Sequence, residues 1–281
     1  MDSQTLLLAI IGLIAAMCIG SFTNVIIDRL PLALDEPNEF GDLWDTKPWA
    51  AVLGGSSRCS SCGAGIRRRD NIPVLGWLLL RGKCRDCGDR IPAFHPVVEL
   101  LVPALAALSV YAIGWNWRVL PVLVLIPVAV AVAVIDARTM IVPTRLVWPG
   151  FAVVMAASIV AALMSHHPSW LVGGAIGLLC LAGPLFVLWF ALPQGMGFGD
   201  VRLACLLGWI VGFEFAGSRA MAAALPVFLC LLASTMIGLV IGLVFLGARG
   251  RKAQVPFGPS LVMGTFICLA LVAQIRDGFG L

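Results

Sequence analysis

Two aspartates and four cysteines are the side chains in this sequence best placed to do chemistry. Asp136 follows the apolar run VLPVLVLIPVAVAVAVI, and Asp200 closes the segment GMGFGD. A carboxylate at the end of a long hydrophobic stretch is expensive unless it has a task or a partner. Two such groups held close together can share a proton and divide the work of acid and base over one water. One would remove the water's proton while the other donates to a scissile carbonyl or a leaving amine, and no cofactor is needed. Gly195, Gly197 and Gly199 lead into Asp200, giving a flexible backbone able to admit an extended peptide beside the acid. Other readings of the pair stay open at this point. Each acid alone could be structural, with Arg138 or Arg145 as the partner of Asp136 and Arg202 as that of Asp200. The pair could also serve a proton-coupled transporter, and a third possibility is an inactive membrane scaffold stabilised by metal.

Cys59 and Cys62 in RCSSCG, and Cys84 and Cys87 in KCRDCG, form two C-x-x-C knuckles with 21 residues between Cys62 and Cys84. Gly63 and Gly88 follow the pairs, as a tight turn around a metal favours. Four thiolates fill a tetrahedron, so the expectation is a structural zinc with no open catalytic position, with disulfides or thiol redox chemistry as the alternatives. The other five of the nine cysteines (Cys18, Cys180, Cys205, Cys230 and Cys268) lie in hydrophobic stretches and read as small packing residues. His95, followed by proline before an apolar run, reads as an interfacial turn rather than a further ligand.

The elements that must carry these groups are membrane helices. Of 281 residues, 60% are hydrophobic and 12% charged, and the mean hydropathy is +0.99, which excludes an ordinary soluble globule. Stretches near the roughly 20 residues required to cross a bilayer occur at 4–27, 97–114, 119–135, 146–164, 171–192, 201–216, 221–246 and 259–275. The sequence predicts an all-α polytopic protein of about eight transmembrane helices with a small cytoplasmic zinc-binding insert. Its first stretch lacks a basic n-region and exceeds signal-peptide length, so it reads as a retained helix. Nine of the 19 Lys and Arg fall between Pro31 and His95; Arg138 and Arg145 follow the third span, Arg202 follows Asp200, and Arg249, Arg251 and Lys252 follow the seventh. The positive-inside bias puts this set, and both aspartates, on the cytoplasmic side with both termini outside. The net charge of +4 follows from that topology and is no sign of nucleic acid; RRRD at 67–70 faces anionic lipid or substrate instead. Three segments follow: an N-terminal helix and signature (1–30), a four-cysteine insert (31–95) and a membrane core (96–281). In the insert, prolines, Gly54 and Gly55 favour turns, and Phe40, Trp44 and Trp49 are candidates to pack at the lipid interface. Gly173, Gly174 and Gly177 would permit close helix packing.

Six blocks in order resemble the type IV prepilin peptidases, a family of polytopic aspartic proteases. They are GSFTNVIIDRLP at 20–31, the cysteine insert with NIPVLGWLLLRGKCRDCG at 71–88, HPVVEL at 95–100, IDARTMIVP at 135–143, MGFGDVRL at 196–203 and PFGPSLVMG at 256–264. By that resemblance Asp136 and Asp200 are the catalytic pair, Asp200 being the aspartate of the GxGD motif that contains Gly197 and Gly199. The resemblance implies cleavage of the positively charged leader from type IV prepilin or pseudopilin precursors at the bacterial inner membrane. It also implies N-methylation of the new terminus with S-adenosylmethionine. Gly20, Ser21, Asn24 and Arg29 are candidates for the surface of that second activity, and Glu99 for positioning a helix or substrate. Methyl transfer rests on resemblance alone, because the chain has no glycine-rich loop of the familiar soluble methyltransferases.

The pattern has departures. Arg138 and Thr144 stand where aspartates are common, Arg202 replaces a frequent lysine, and the acidic stretch around 35–49 is long. Lost negative charges near Asp136 are expected to alter the electrostatics and substrate preference more than the peptidase chemistry.

Overall fold

The computed structural model describes residues 3–31, 34–37, 43–45, 48–192, 196–216, 224–249, 256–272 and 274. Phe40, Gly195, Arg251 and Lys252, all weighed above, lie outside them. Helices occupy the apolar stretches: α1 (Ser3–Arg29), α4 (Phe94–Ile113), α5 (Leu120–Thr139), α6 (Thr144–Met164), α7 (Ser169–Ala191), α8 (Phe198–Phe215), α9 (Ala224–Arg249) and α10 (Gly258–Ala270). The insert adds the short helices α2 (Trp49–Leu53) and α3 (Leu75–Leu79). Among the described residues the strands β1 (Leu34–Pro37) and β2 (Leu43–Asp45) pair as the one small sheet, in the stretch where turns were expected.

Among the described residues, five helices are long and apolar enough to cross a membrane: Ile10–Arg29 within α1, α4, Trp117–Thr139 including α5, α6 and α7. Two shorter apolar helices, Ala224–Val240 and Gly258–Ala270, join them. The chain is thus a helical, polytopic membrane protein. The expected sixth span, α8, carries Asp200, Arg202 and Glu214 within its 18 residues. It tolerates these charges because other helices wrap it: every residue from Asp200 to Phe215 except Cys205 is buried. A polar side chain is far cheaper against protein than against lipid.

The chain divides into two compact units. The first comprises Met1–Asp35 with Asp45–Ala106, and the second Glu36–Trp44 with Ala107–Leu281.

In the first unit α1 and α4 meet at glycine: a Cβ on Gly20 would lie 3.0 Å from Glu99 Cα. Arg29, the last residue of α1, gathers the end of α2. Its Nη1 donates to the carbonyls of Val52 (3.2 Å) and Gly54 (2.5 Å), and its Nη2 to that of Ser56 (3.2 Å). A cation on the orphan carbonyls of a helix C-terminus satisfies both hydrogen bonding and the helix dipole.

In the second unit α8 is buried along almost all its length, and of the long apolar spans there the one including α5 is the most buried, at 61% against 50% and 33% for α6 and α7. The packing of α7 on α8 depends on small residues, as Gly173, Gly174 and Gly177 suggest. A Cβ on Gly177 would sit 2.6 Å from Gly212 Cα, one on Gly208 2.6 Å from the Gly177 carbonyl oxygen, and one on Gly174 3.0 Å from the Trp209 ring. With side chains at those positions the two backbones could not approach so closely, and α8 could not sit so deep in the unit.

Candidate active site

Asp136 occupies the last turn of α5 and Asp200 the first turn of α8. Both are buried, at 4% and 9% exposure, and near enough for the charge of one to act on the other. What brings them together is local. Helix α5 stops at Met140, which takes the left-handed conformation (φ 58°, ψ 30°) and donates its N–H to the Asp136 carbonyl at 2.8 Å. The chain then runs through Ile141 and Val142 to Pro143, at the head of α6. Val142 is the contact that counts: a Cβ on Gly199 would lie 2.7 Å from Val142 Cβ. Gly199 therefore lets the α5–α6 turn press against the start of α8, one residue before Asp200.

The two glycines of the motif differ. Gly199 is helical and sterically required, whereas Gly197 caps α8 with extended backbone (φ −72°, ψ 144°) that any residue adopts. A Cβ on Gly197 would meet nothing nearer than 4.0 Å, Asp200 Oδ2 among it.

A third element completes the site. The backbone N–H of Gly258, in the first turn of α10, donates to Asp136 Oδ2 at 2.9 Å. A Cβ there would come within 2.7 Å of the same oxygen. The N-terminus of a helix offers unsatisfied N–H groups and a positive dipole end, a natural cradle for a carboxylate. Sequence reading quotes the PFGPSLVMG block without finding this role, because the donor is backbone.

The arginine departures also find places. Arg138 is exposed and two residues beyond Asp136, a rotation of about 200° that points it to another face of the helix. Arg202 stacks over the Phe198 ring at 4.6 Å and donates to the Thr144 hydroxyl, so two residues that depart from the family pattern are partners of each other.

At the far end of the same helices lies a pair that the sequence analysis did not single out. Arg118, just before α5, reaches Glu214 near the end of α8, with Nε 3.3 Å from Oε2. Its Nη2 donates to the carbonyls of Phe213 (3.0 Å), Glu214 (2.5 Å) and Ala216 (2.7 Å), and its guanidinium lies 4.3 Å over the Trp170 ring. Asp136 and Asp200 thus lie at one end of α5 and α8, which run antiparallel, and Arg118 fastens the other end. The only signal available in sequence is an arginine opening an otherwise apolar span.

In the first unit, Asn24 Nδ2 donates to the His95 carbonyl at 3.0 Å, while its buried Oδ1 has no hydrogen-bond partner among the described residues. His95 Nε2 lies 3.5 Å from Asp28 Oδ2. Ser21 lies on α1 one residue beyond Gly20 and is half-buried. Arg29 is committed to the α2 carbonyls described above. Glu99 is buried in α4, and its Oε2 accepts the Val74 N–H at 2.7 Å.

The four cysteines converge. Sγ atoms of Cys59, Cys62, Cys84 and Cys87 all lie within 4.8 Å of one another, and Cys59 is 3.9 Å from Cys87. The two knuckles are built alike. Gly63 (φ 71°) and Gly88 (φ 74°) take the left-handed turn and donate to the carbonyls of Cys59 and Cys84 at 2.9 and 3.0 Å. Each hairpin closes through a bridge, Arg58 with Gly65 and Lys83 with Arg90. Ser61 hydrogen-bonds to Asp89 across the two. Backbone N–H groups of Cys62 and Ser61 pull the Cys59 thiol down to about 6. Cys87, although the Asp89 N–H favours its thiolate, is pushed up to about 12 by desolvation and the neighbouring thiols. Thiols so crowded resist ionising together unless a cation joins them, and zinc with four sulfur ligands fits that donor set.

Taken together, the geometry defines a polytopic helical membrane protein with two adjoining buried carboxylates and a Cys₄ cluster able to hold a metal. Two family models match: the bacterial peptidase A24 N-terminal domain over residues 14–113, and the type IV leader peptidase family over residues 123–246. Curated relatives carry the name prepilin leader peptidase/N-methyltransferase. The chain is 32% identical to that of Myxococcus xanthus (strain DK1622) over 72% of its own length and 56% of the relative's. The figures are 34% for Dichelobacter nodosus, over 71% and 73%, and 32% for Aeromonas hydrophila, over 77% and 74%. No solved structure matches. The chain belongs to the type IV leader peptidase family.

Proposed function

We propose that this protein is a membrane aspartic endopeptidase that removes the leader from type IV prepilin-like or pseudopilin precursors at the cytoplasmic face of the bacterial inner membrane. It then methylates the new N-terminus. The observation that carries the reading is that Asp136 at the end of α5 and Asp200 at the start of α8 are both buried, with Val142 just after the one pressed against Gly199 just before the other. Their cytoplasmic side follows from the basic residues of the connecting segments.

Hydrolysis needs a water between the two carboxyl groups, one ionised and one protonated. The ionised group takes a proton from the water as its oxygen bonds to the scissile carbonyl carbon, and the protonated group donates to the carbonyl oxygen. The tetrahedral species then collapses: the C–N bond breaks as a proton passes to the leaving amine. Gly258 N–H occupies Asp136 Oδ2, which leaves Oδ1 for the water. Val142 and Gly199 hold the register between the two acids.

Cys59, Cys62, Cys84 and Cys87 would hold zinc, which when bound cross-links the insert and takes no part in hydrolysis. S-adenosylmethionine, when bound, supplies the methyl group. The unpartnered Asn24 Oδ1, buried between α1 and α4 near His95 and Gly20, suits an ammonium or amine donor in that second reaction. The three functional segments are 1–30, 31–95 and 96–281, and no nucleic acid is involved.

The test is to incubate membranes containing the protein with a prepilin-like peptide and resolve the products by mass. Cleavage is expected from the native chain and not from Asp136→Asn or Asp200→Asn. Full cleavage by either variant would remove the two-carboxylate assignment. Addition of S-adenosylmethionine should add one methyl group to the product's new terminus.

A further inference from the structure

Helix α3 displays its leucines to the outside. Leu75, Leu78 and Leu79 are 54%, 55% and 73% exposed and share one face by their spacing, with Ile72 exposed just before them. Large apolar groups clustered on so small an insert point to a surface that is covered in the working protein.

The depth of this helix is fixed by one hydrogen bond. Val74 N–H, at the head of α3, donates to Glu99 Oε2 at 2.7 Å. Glu99 is the sixth residue of α4, about 7.5 Å along the helix from Phe94. The 20 residues of α4 measure about 30 Å, the full thickness of a bilayer's hydrocarbon core, so none of its length is to spare. The start of α3 is therefore held about one and a half turns inside the span. Backbone geometry reinforces the hold. Val74 adopts φ 61° and ψ −49°, with Leu75 N–H donating to the Pro73 carbonyl at 2.6 Å. A β-branched residue takes that tight turn only when its surroundings impose it.

Charge flanks the helix on both sides. Arg67, Arg68 and Arg69 precede it, and Arg81 and Lys83 follow, all exposed. The acids nearby are engaged: Asp70 receives both prongs of Arg85 at 2.6 and 2.7 Å, and Asp86 lies 3.9 Å from Arg67. Apolar residues at acyl depth between clusters of arginine are the chemistry that an anionic phospholipid surface satisfies.

We propose that α3 is an interfacial anchor: Leu75, Leu78 and Leu79 insert into the cytoplasmic leaflet while the flanking arginines hold anionic headgroups, with Glu99 setting the depth. The cysteine insert is then seated on the membrane rather than suspended above it.

The full chain, carrying a benzophenone amino acid at position 79, is reconstituted in nanodiscs of phosphatidylethanolamine and phosphatidylglycerol and irradiated. Phospholipid adducts are expected on the peptide containing residue 79. Phosphatidylglycerol should exceed its mole fraction among them, and the excess should shrink in high salt. Adducts to the chain's own helices, adducts to an added prepilin peptide, or no lipid adducts would overturn the anchor. Lipid adducts in simple proportion to composition would overturn the assignment to anionic lipid. Should the bulky group disturb folding, photoleucine incorporated throughout the chain, with adducts mapped to residues 75–79, reads the same contact. No outcome depends on whether the protein cleaves anything.

Discussion

Helices α5 and α8 meet at two charged ends that could hardly differ more. At one, Asp136 and Asp200 bring like charges together, and Asp136 accepts a backbone N–H from Gly258. At the other, Arg118 and Glu214 bring opposite charges together, and the guanidinium also serves three carbonyls and an aromatic face. The first arrangement is poor architecture, because two buried acids repel and dehydrate each other. Its retention in a packed core makes sense as chemistry. The second sets a cation on the last carbonyls of α8 and beside Glu214, complementing the C-terminal dipole of that helix, which is how a buried charge becomes structural. The sign of the partner separates a reactive end from a fastening end along the same two helices.

Substitutions should break the two ends in opposite ways. The largest effect on activity is expected from Asp136→Asn or Asp200→Asn. Either should lower cleavage about 10²–10⁴-fold, the range for loss of a general acid or base, with no loss of thermal stability because a buried ionisable group gives way to a neutral amide of the same shape. Peptide cleavage followed by mass, beside a melting curve in detergent, checks both halves. Arg118→Leu should do the reverse, costing about 3–5 kcal/mol by stranding Glu214 in the core. The double change Arg118→Leu with Glu214→Leu should recover much of that loss, as denaturation midpoints of the three proteins would show. A double variant no more stable than the single would mean that the carbonyl contacts, rather than the ion pair, do the fastening.

Smaller effects test the seam between the ends. Gly199→Ala should cost about 1–3 kcal/mol by overpacking against Val142 and slow cleavage, whereas Gly197→Ala should leave both nearly unchanged. Equal effects at the two glycines would contradict the steric role assigned to Gly199. The mildest consequence for the helix pair should come from the other unit. Chelation of a metal held by Cys59, Cys62, Cys84 and Cys87 should expose residues 50–90 to proteolysis. The melting transition of α5 to α10 should stay where it was.

Much of this was legible in the sequence, and the reasons are uneven. Long apolar stretches announced the helices, because a bilayer leaves the backbone few other choices. The cysteine spacing announced the cluster, since ligands near in sequence are near in space. Asp136 and Asp200 stood out by being charged at the ends of apolar runs. Arg118 and Glu214 did not, being 96 residues apart and joined only by the antiparallel course of two helices. Gly258 was hidden because its contribution is an N–H that every residue but proline possesses. No sequence rule would have put Val74 at a positive φ, the conformation least suited to a β-branched side chain. The expected sixth span likewise proved to be sheltered by protein, because its charges need packing partners that composition cannot name.

The turn at Met140 has a consequence for how this protein could vary. Only four residues, Met140 to Pro143, separate α5 from α6, and the third of them abuts Gly199. That loop acts as a ruler between two acids carried on different helices. One residue more or less would leave every helix its own sequence and hydrophobic face, yet would change the gap that a water must bridge. In this corner of the molecule, length is held as tightly as side-chain identity.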